Sequence, residues 1–97
     1  MRLIVRPEAE DDITAAFSWY EDQEPGLGTE FIHSVDVALG LVEREPHAFP
    51  VIYRNARRAL LRRFPYAVFY LIRDDVIEVI ACMHFKRRPL RWRSRVR

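Results

Sequence analysis

Two kinds of residue in this 97-residue sequence could do chemistry: a histidine beside a run of cations, and an unusual supply of arginine. His84 lies in Cys82-Met-His-Phe-Lys-Arg-Arg88, where an apolar run gives way to a basic one. An imidazole titrates near neutrality, so it can take or give a proton, and Arg87 and Arg88 nearby could hold a phosphate. The same ring could instead bond the backbone and fix the segment that follows. Residue types alone leave both readings open. His33 and His47 stand apart from any such group and read as surface residues.

Fifteen of the sixteen basic residues are arginine, whose planar fork binds phosphate or carboxylate bidentately and stacks on rings. They are unevenly placed. Residues 1–50 hold eleven acids against Arg2, Arg6 and Arg44, a charge of −8, while residues 51–97 hold thirteen bases against Asp74, Asp75 and Glu78, a charge of +10. Residues 86–97 contain no acid and carry Lys86, Arg87, Arg88, Arg91, Arg93, Arg95 and Arg97. Such a segment either keeps a chain end solvated or seeks an anionic partner. Trp92 among these arginines could anchor the segment to the core or stack on a base. Period-two counting puts Arg58 and Arg62 on one side of a strand, with Arg57 and Arg63 on the other. If the basic end emerges on the Arg58–Arg62 side, arginines from two distant segments converge. The candidate target- or anion-binding residues are therefore Arg58, Arg62, Arg87, Arg88, Arg91 and Trp92.

Other chemistries find no support. There is no glycine-rich phosphate loop, no nucleophile elbow and no set of paired metal ligands, so neither a cofactor nor a metal is expected. Cys82 has no second cysteine to pair with and sits beside Ile80 and Ala81, as a small buried hydrophobe does. Glu8, Glu10, Asp11 and Asp12 follow Pro7, where the dipole of a helix start accounts for their charge.

The elements that must position these groups follow from apolar spacing. Arg2–Arg6 reads as a strand. Ile13, Ala16, Phe17 and Tyr20 make one helical stripe from Pro7 to about Glu24, and Phe31, Val35, Ala38, Leu39 and Val42 make another ending near Glu45. Pro25, Gly26 and Gly28 supply the turn of an antiparallel helix hairpin. His47–Asn55 has no clear period and reads as a loop. Three strands follow as a meander: Arg57–Arg63, Tyr66–Ile72 and Val76–Met83, with a tight turn at Asp74-Asp75. Tyr66–Ile72 is apolar on both faces and is expected at the centre of the sheet. The order β-α-α-β-β-β predicts an α+β fold, with the helix hairpin on one face of a small, mainly antiparallel sheet. A chain of this length closes one core, so residues 1–97 are expected to form one domain with 85–97 as a basic C-terminal tail. No apolar run approaches the length of a membrane span, and the opening residues are too few for a signal peptide, so a cytoplasmic protein with no membrane partner is expected.

Taken in order, the strand leading into an acidic helix start, Trp19-Tyr20-Glu21, Gly26-Leu-Gly28…Phe31, Arg57-Arg58…Arg63-Phe-Pro-Tyr66…Tyr70 and His84…Arg87 resemble the RelE/ParE superfamily of bacterial toxins. The resemblance covers nearly the whole chain and is strongest at Phe64-Pro65-Tyr66 and the His84…Arg87 end. It implies the toxin half of a type II toxin–antitoxin pair, a plasmid stabilisation protein held inactive by a small cognate antitoxin. Two mechanisms occur in the superfamily. RelE-like members cut messenger RNA on the ribosome, which requires a proton acceptor, a proton donor and cations around the phosphorane. In that reading His84 matches a catalytic histidine and Arg58 or Arg62 the cations. However, Phe85 stands where some members place a tyrosine, and Ala67 where a central-strand arginine is common. ParE-like members poison DNA gyrase by binding and need no such set, so the expectation is a ParE-like, non-enzymatic toxin. The alternatives are a metal-independent ribosome-dependent messenger RNA endonuclease and a non-toxic nucleic-acid-binding module.

Overall fold

The computed structural model describes residues 1–86 and 89–96. The chain runs β1 (Arg2–Val5), α1 (Pro7–Gln23), α2 (Leu27–Arg44), β2 (Val51–Tyr53), β3 (Ala56–Leu60), β4 (Tyr66–Arg73), β5 (Val76–His84) and α3 (Pro89–Arg93). One five-stranded sheet has the order β1-β5-β4-β3-β2. β1 pairs with β5 in parallel, and the other pairings are antiparallel. The α+β architecture is the one the spacing predicts, with β4 at the centre.

α1 begins at Pro7, whose missing N–H costs nothing in a first turn, and Glu8 and Glu10 complement the dipole there. The hairpin turn differs in detail from expectation. Gly26 takes φ +91°, but Gly28 lies inside α2. A Cβ at Gly28 would come within 2.8 Å of the Phe17 carbonyl oxygen, so this glycine lets the two helices touch. Glu21 closes the turn, accepting the Gly26 and Gly28 N–H groups at 3.0 and 2.9 Å and thereby capping α2 from the preceding helix.

Two further boundaries depart from the sequence reading. The presumed loop His47–Asn55 contains β2, because Val51-Ile52-Tyr53 is a run of strand formers that pairs on the free edge of β3. The strand expected over Arg57–Arg63 stops at Leu60. Arg63 at φ +71° turns the chain, so Arg62 and Arg63 lie in a connection and not in a strand.

The sheet is buried on both faces. Toward the helices, Phe31, Val35, Val42, Val68, Tyr70, Ile77 and Val79 form one core, with Tyr20, Phe31, Phe64 and Tyr66 packed ring against ring. The Tyr70 hydroxyl donates to the Pro46 carbonyl at 2.6 Å. Burial raises its pKa, and nearby Arg57 opposes that rise. On the opposite face, Ala67, Phe69, Leu71, Ile80 and Ala81 form a second core closed by Trp92 and Val96. Much of the expected tail is therefore folded.

A buried ion pair holds that covering segment in place. Arg95 Nη1 reaches Asp12 Oδ2 at 2.7 Å, the side chains being 18% and 9% exposed. The same guanidinium donates to the Ile80 carbonyl, and Asp12 also accepts the Cys82 N–H at 3.0 Å. Arg6 donates to the Arg95 carbonyl and pairs with Glu78 at 2.7 Å. The helix dipole thus explains Glu8 and Glu10 but not Asp12, which ties α1 to β5 and to the C-terminal segment. Asp12→Ala is expected to lower the unfolding free energy by about 3 kcal/mol in urea titrations, since it strands a charged, largely buried guanidinium. Adding Arg95→Ala to that variant should cost less than Arg95→Ala costs alone.

Candidate functional site

β5 ends in His84, opposite Tyr66 of β4, at the mouth of a cleft of about 360 Å³ between α1 and the C-terminal segment. Trp19, Tyr66, His84 and Arg91 line it, and Trp19 is 57% exposed. His84 Nδ1 accepts the Lys86 N–H at 3.2 Å, which leaves Nε2 to carry the proton of the neutral ring. Its ring centroid lies 5.8 Å from those of both Tyr66 and Phe85. The histidine therefore makes the backbone bond of the structural reading while one edge borders the cleft.

Beneath it, Cys82 is buried in the helix-side core. Burial, reinforced by Asp12, pushes its thiol from an ordinary 9.0 up to about 12. The folded thiol keeps its proton over a range in which the unfolded chain releases it, so stability is expected to fall as pH rises from about 9 toward about 12. At pH 8 the thiol should be inert to an aromatic disulfide reagent until the chain is unfolded in denaturant.

The predicted arginines do not gather at one point. Arg91 shares the cleft with His84, whereas Arg62 lines a separate cleft of about 540 Å³ beside α2, and its carbonyl accepts the Ser34 hydroxyl at 2.8 Å. Arg58 is in register with Phe69, and because Ala59 faces the helices, Arg58 faces the opposite side of the sheet. Arg58 and Arg62 therefore do not share a face, because the strand ends between them. Trp92 is 4% exposed and stacked on Phe69 at 4.3 Å, so it anchors the segment and its ring is not free for a partner. Arg87 and Arg88 lie outside the described residues.

A different convergence is present on that outer face. The Arg93 guanidinium sits 4.9 Å from the Tyr53 ring centroid and 5.5 Å from that of Trp92, and Arg54 lies 5.3 Å from Tyr53 on the neighbouring turn. Tyr53 in turn meets Trp92 edge-on at 5.8 Å. Arg58 borders the same cluster through Phe69. Among the described residues, none of Arg54, Arg58 and Arg93 is paired with a carboxylate, and the Nε atoms of Arg58 and Arg93 are buried without a hydrogen-bond partner. Aromatic faces stabilise cations without neutralising them, so the patch keeps its positive charge although these two Nε donors are closed to solvent. Sequence reasoning missed Arg54 and Arg93. The signal available was the Tyr53-Arg54 and Trp92-Arg93 doublets, whose meeting depends on β2 and α3. Among the described residues, no group of three or more His, Cys, Asp or Glu could hold a metal ion.

Comparison with known proteins identifies the family and the fold. A sequence profile for the ParE toxin of type II toxin-antitoxin system, parDE, matches residues 3–89. Toxin ParE2 from two strains of Mycobacterium tuberculosis, CDC 1551 / Oshkosh and ATCC 25618 / H37Rv, is 33% identical over 89 residues, covering 91% of this chain and 85% of each relative. The chain belongs to the ParE toxin family. Its fold matches a chain of the chromosomal ParDE TA system from P. aeruginosa with a TM-score of 0.79 at 15% identity, covering 87% of this chain and 95% of that one. It is thus the toxin of a type II toxin–antitoxin system and has an antitoxin as its partner. Arg54 and Arg58 lie within the span matched by the ParE profile, while Arg93 and Arg95 lie beyond it. No helix among the described residues is long and apolar enough to cross a membrane.

Proposed function

We propose that this ParE-family toxin acts by binding DNA gyrase rather than by cutting RNA, and that its antitoxin masks it with an acidic segment laid across the outer sheet face. The observation that carries this reading is the outer-face group of Arg54 and Arg93 against Tyr53 and Trp92, with Arg58 beside Phe69, cationic and unpaired with any carboxylate among the described residues. A surface of this kind recognises a stretch of carboxylates. Phosphoryl transfer, in contrast, needs a base, an acid and cations within hydrogen-bond reach of one phosphate. Arg58 and Arg62 lie on different sides of the molecule, and His84 Nδ1 is committed to the backbone. Ala67 and Phe85 pack in or against the second core, where neither can supply a charge or a proton.

Replacing Arg58 and Arg93 together by Ala is expected to weaken the antitoxin complex at least tenfold, with a reduced dependence of affinity on salt, measured by calorimetry across a salt series. An unchanged affinity and salt slope would remove the masking surface. Induced expression should stop growth with accumulated gyrase–DNA cleavage complexes and no new ends in ribosome-bound messages, and His84→Ala should leave that arrest in place. Codon-specific cuts lost on His84→Ala would instead establish the nuclease.

A further inference from the structure

The outer face of α2 is uncovered. Phe31, Val35, Ala38 and Val42 point into the first core, whereas Val37 and Leu41, one turn apart on the far side, are 39% and 41% exposed. At about 100° per residue, His33, Gly40 and Arg44 share that outer stripe, and Glu30 stands at its beginning. Gly40 is the informative member. Glycine inside a helix costs about 1 kcal/mol relative to alanine. At Gly28 the crossing of α1 explains that cost, but a Cβ at Gly40 would meet nothing within 4 Å. Nothing inside the fold calls for a glycine there. What it provides is a bare strip of helix backbone facing outward, between two exposed apolar side chains, where a second helix can approach closely.

The charges along the stripe suit a copy of itself. Glu30 precedes Val37 by seven residues and Arg44 follows it by seven, about 10 Å along the axis in each direction. A two-fold axis beside Val37 therefore sets Glu30 of each chain against Arg44 of the other in an antiparallel pair. Val37 then meets its equivalent next to the open strip at Gly40. Glu30 already has Arg63 at 3.7 Å, but that pair is long and exposed on both sides, at 81% and 55%, so it is weak and leaves the carboxylate accessible to a second cation. Acid at one end and base at the other is the arrangement a self-complementary interface requires.

We propose that α2 is the surface through which two copies of this chain associate, antiparallel and centred on Val37. The interface is independent of the arginine cluster and of the gyrase reading. One helix face is small for a stable interface, so the dimer is expected to dissociate on dilution. Sedimentation equilibrium of the full chain over a concentration series should show the mass rising from 11.6 kDa toward twice that value. Glu30→Arg and Arg44→Glu should each remain monomeric, because each places like charges at both contacts. An equimolar mixture of these two variants restores opposite charges at both contacts and should dimerise. Circular dichroism reports whether each variant keeps its fold, and Val37→Glu gives a second, apolar test of the same face. A monomer at every concentration, a dimer indifferent to all three substitutions, or variants that stay monomeric when mixed would each overturn the proposal. If the chain stayed monomeric while Val37→Glu weakened its antitoxin complex, the face would belong to the antitoxin instead.

Discussion

The ion pair between Asp12 and Arg95 is the contact on which the outer half of this molecule depends. β4 and β5 are apolar on both faces, so the sheet needs a second cover opposite the helix hairpin. That cover is the short C-terminal segment carrying Trp92 and Val96. A five-residue helix has little stability of its own and must be held by tertiary contacts. Burying a carboxylate and a guanidinium is costly, and their attraction offsets the cost only when the remaining polar atoms are also bonded. Here they are: Asp12 takes the Cys82 N–H, and Arg95 gives a hydrogen bond to the Ile80 carbonyl. Both of those backbone groups belong to β5, so the pair fixes the segment in register with the strand it covers.

The same cover decides where the positive charge goes. The acids are concentrated in the helices and their turn, while thirteen of the sixteen bases follow residue 50. Where opposite charges meet, as in Arg6 with Glu78 and Arg95 with Asp12, they serve the fold. Arg54 and Arg93 instead lie against aromatic rings, with Arg58 on the same sheet face beside Phe69, and none of the three has a carboxylate partner among the described residues. A folded protein that gathers like charges pays in self-repulsion, and an anionic partner that lands there relieves it. Under the proposed masking by an acidic segment, this arrangement would favour the bound state without requiring any change in the scaffold.

Much of this was legible in the sequence, and the remainder was hidden for identifiable reasons. Helical stripes and the two-sided apolar run of β4 announced the hairpin and the central strand, because burial imposes a period on residues close in sequence. Gly28 read as a turn residue because glycine serves turns and close helix crossings alike, and only the position of Phe17 separates the two. β2 escaped because three residues carry no measurable period. The helix dipole is a sufficient local reason for an acid at Asp12, and its partner Arg95 lies 83 residues away. Counting by twos carried Arg62 onto the face of Arg58, an error caused by a strand that ends at Leu60. Local pattern, in short, fixes what a neighbourhood can form, while the convergence of Arg54, Arg58 and Arg93 depends on how distant neighbourhoods dock.

That distinction bears on the choice between cleavage and binding within one scaffold. Catalysis demands convergence on a point: groups that transfer protons or stabilise an oxyanion act only within hydrogen-bond reach of the reacting atoms. Recognition of a protein demands only complementarity over a surface, and tolerates charges set several ångströms apart. Two of the described arginines named from sequence part company at the end of β3, one toward α2 and the other toward the opposite sheet face. The positions on β4 and just beyond β5 from which a reactive centre would need a charge or a proton carry Ala67 and Phe85, given over to the second core. The apolar cover that Asp12 and Arg95 secure and a phosphate-cutting centre on that face would compete for the same side chains. In this chain the face is filled for packing, with arginines around its edge, and that composition supports the proposed binding role over cleavage.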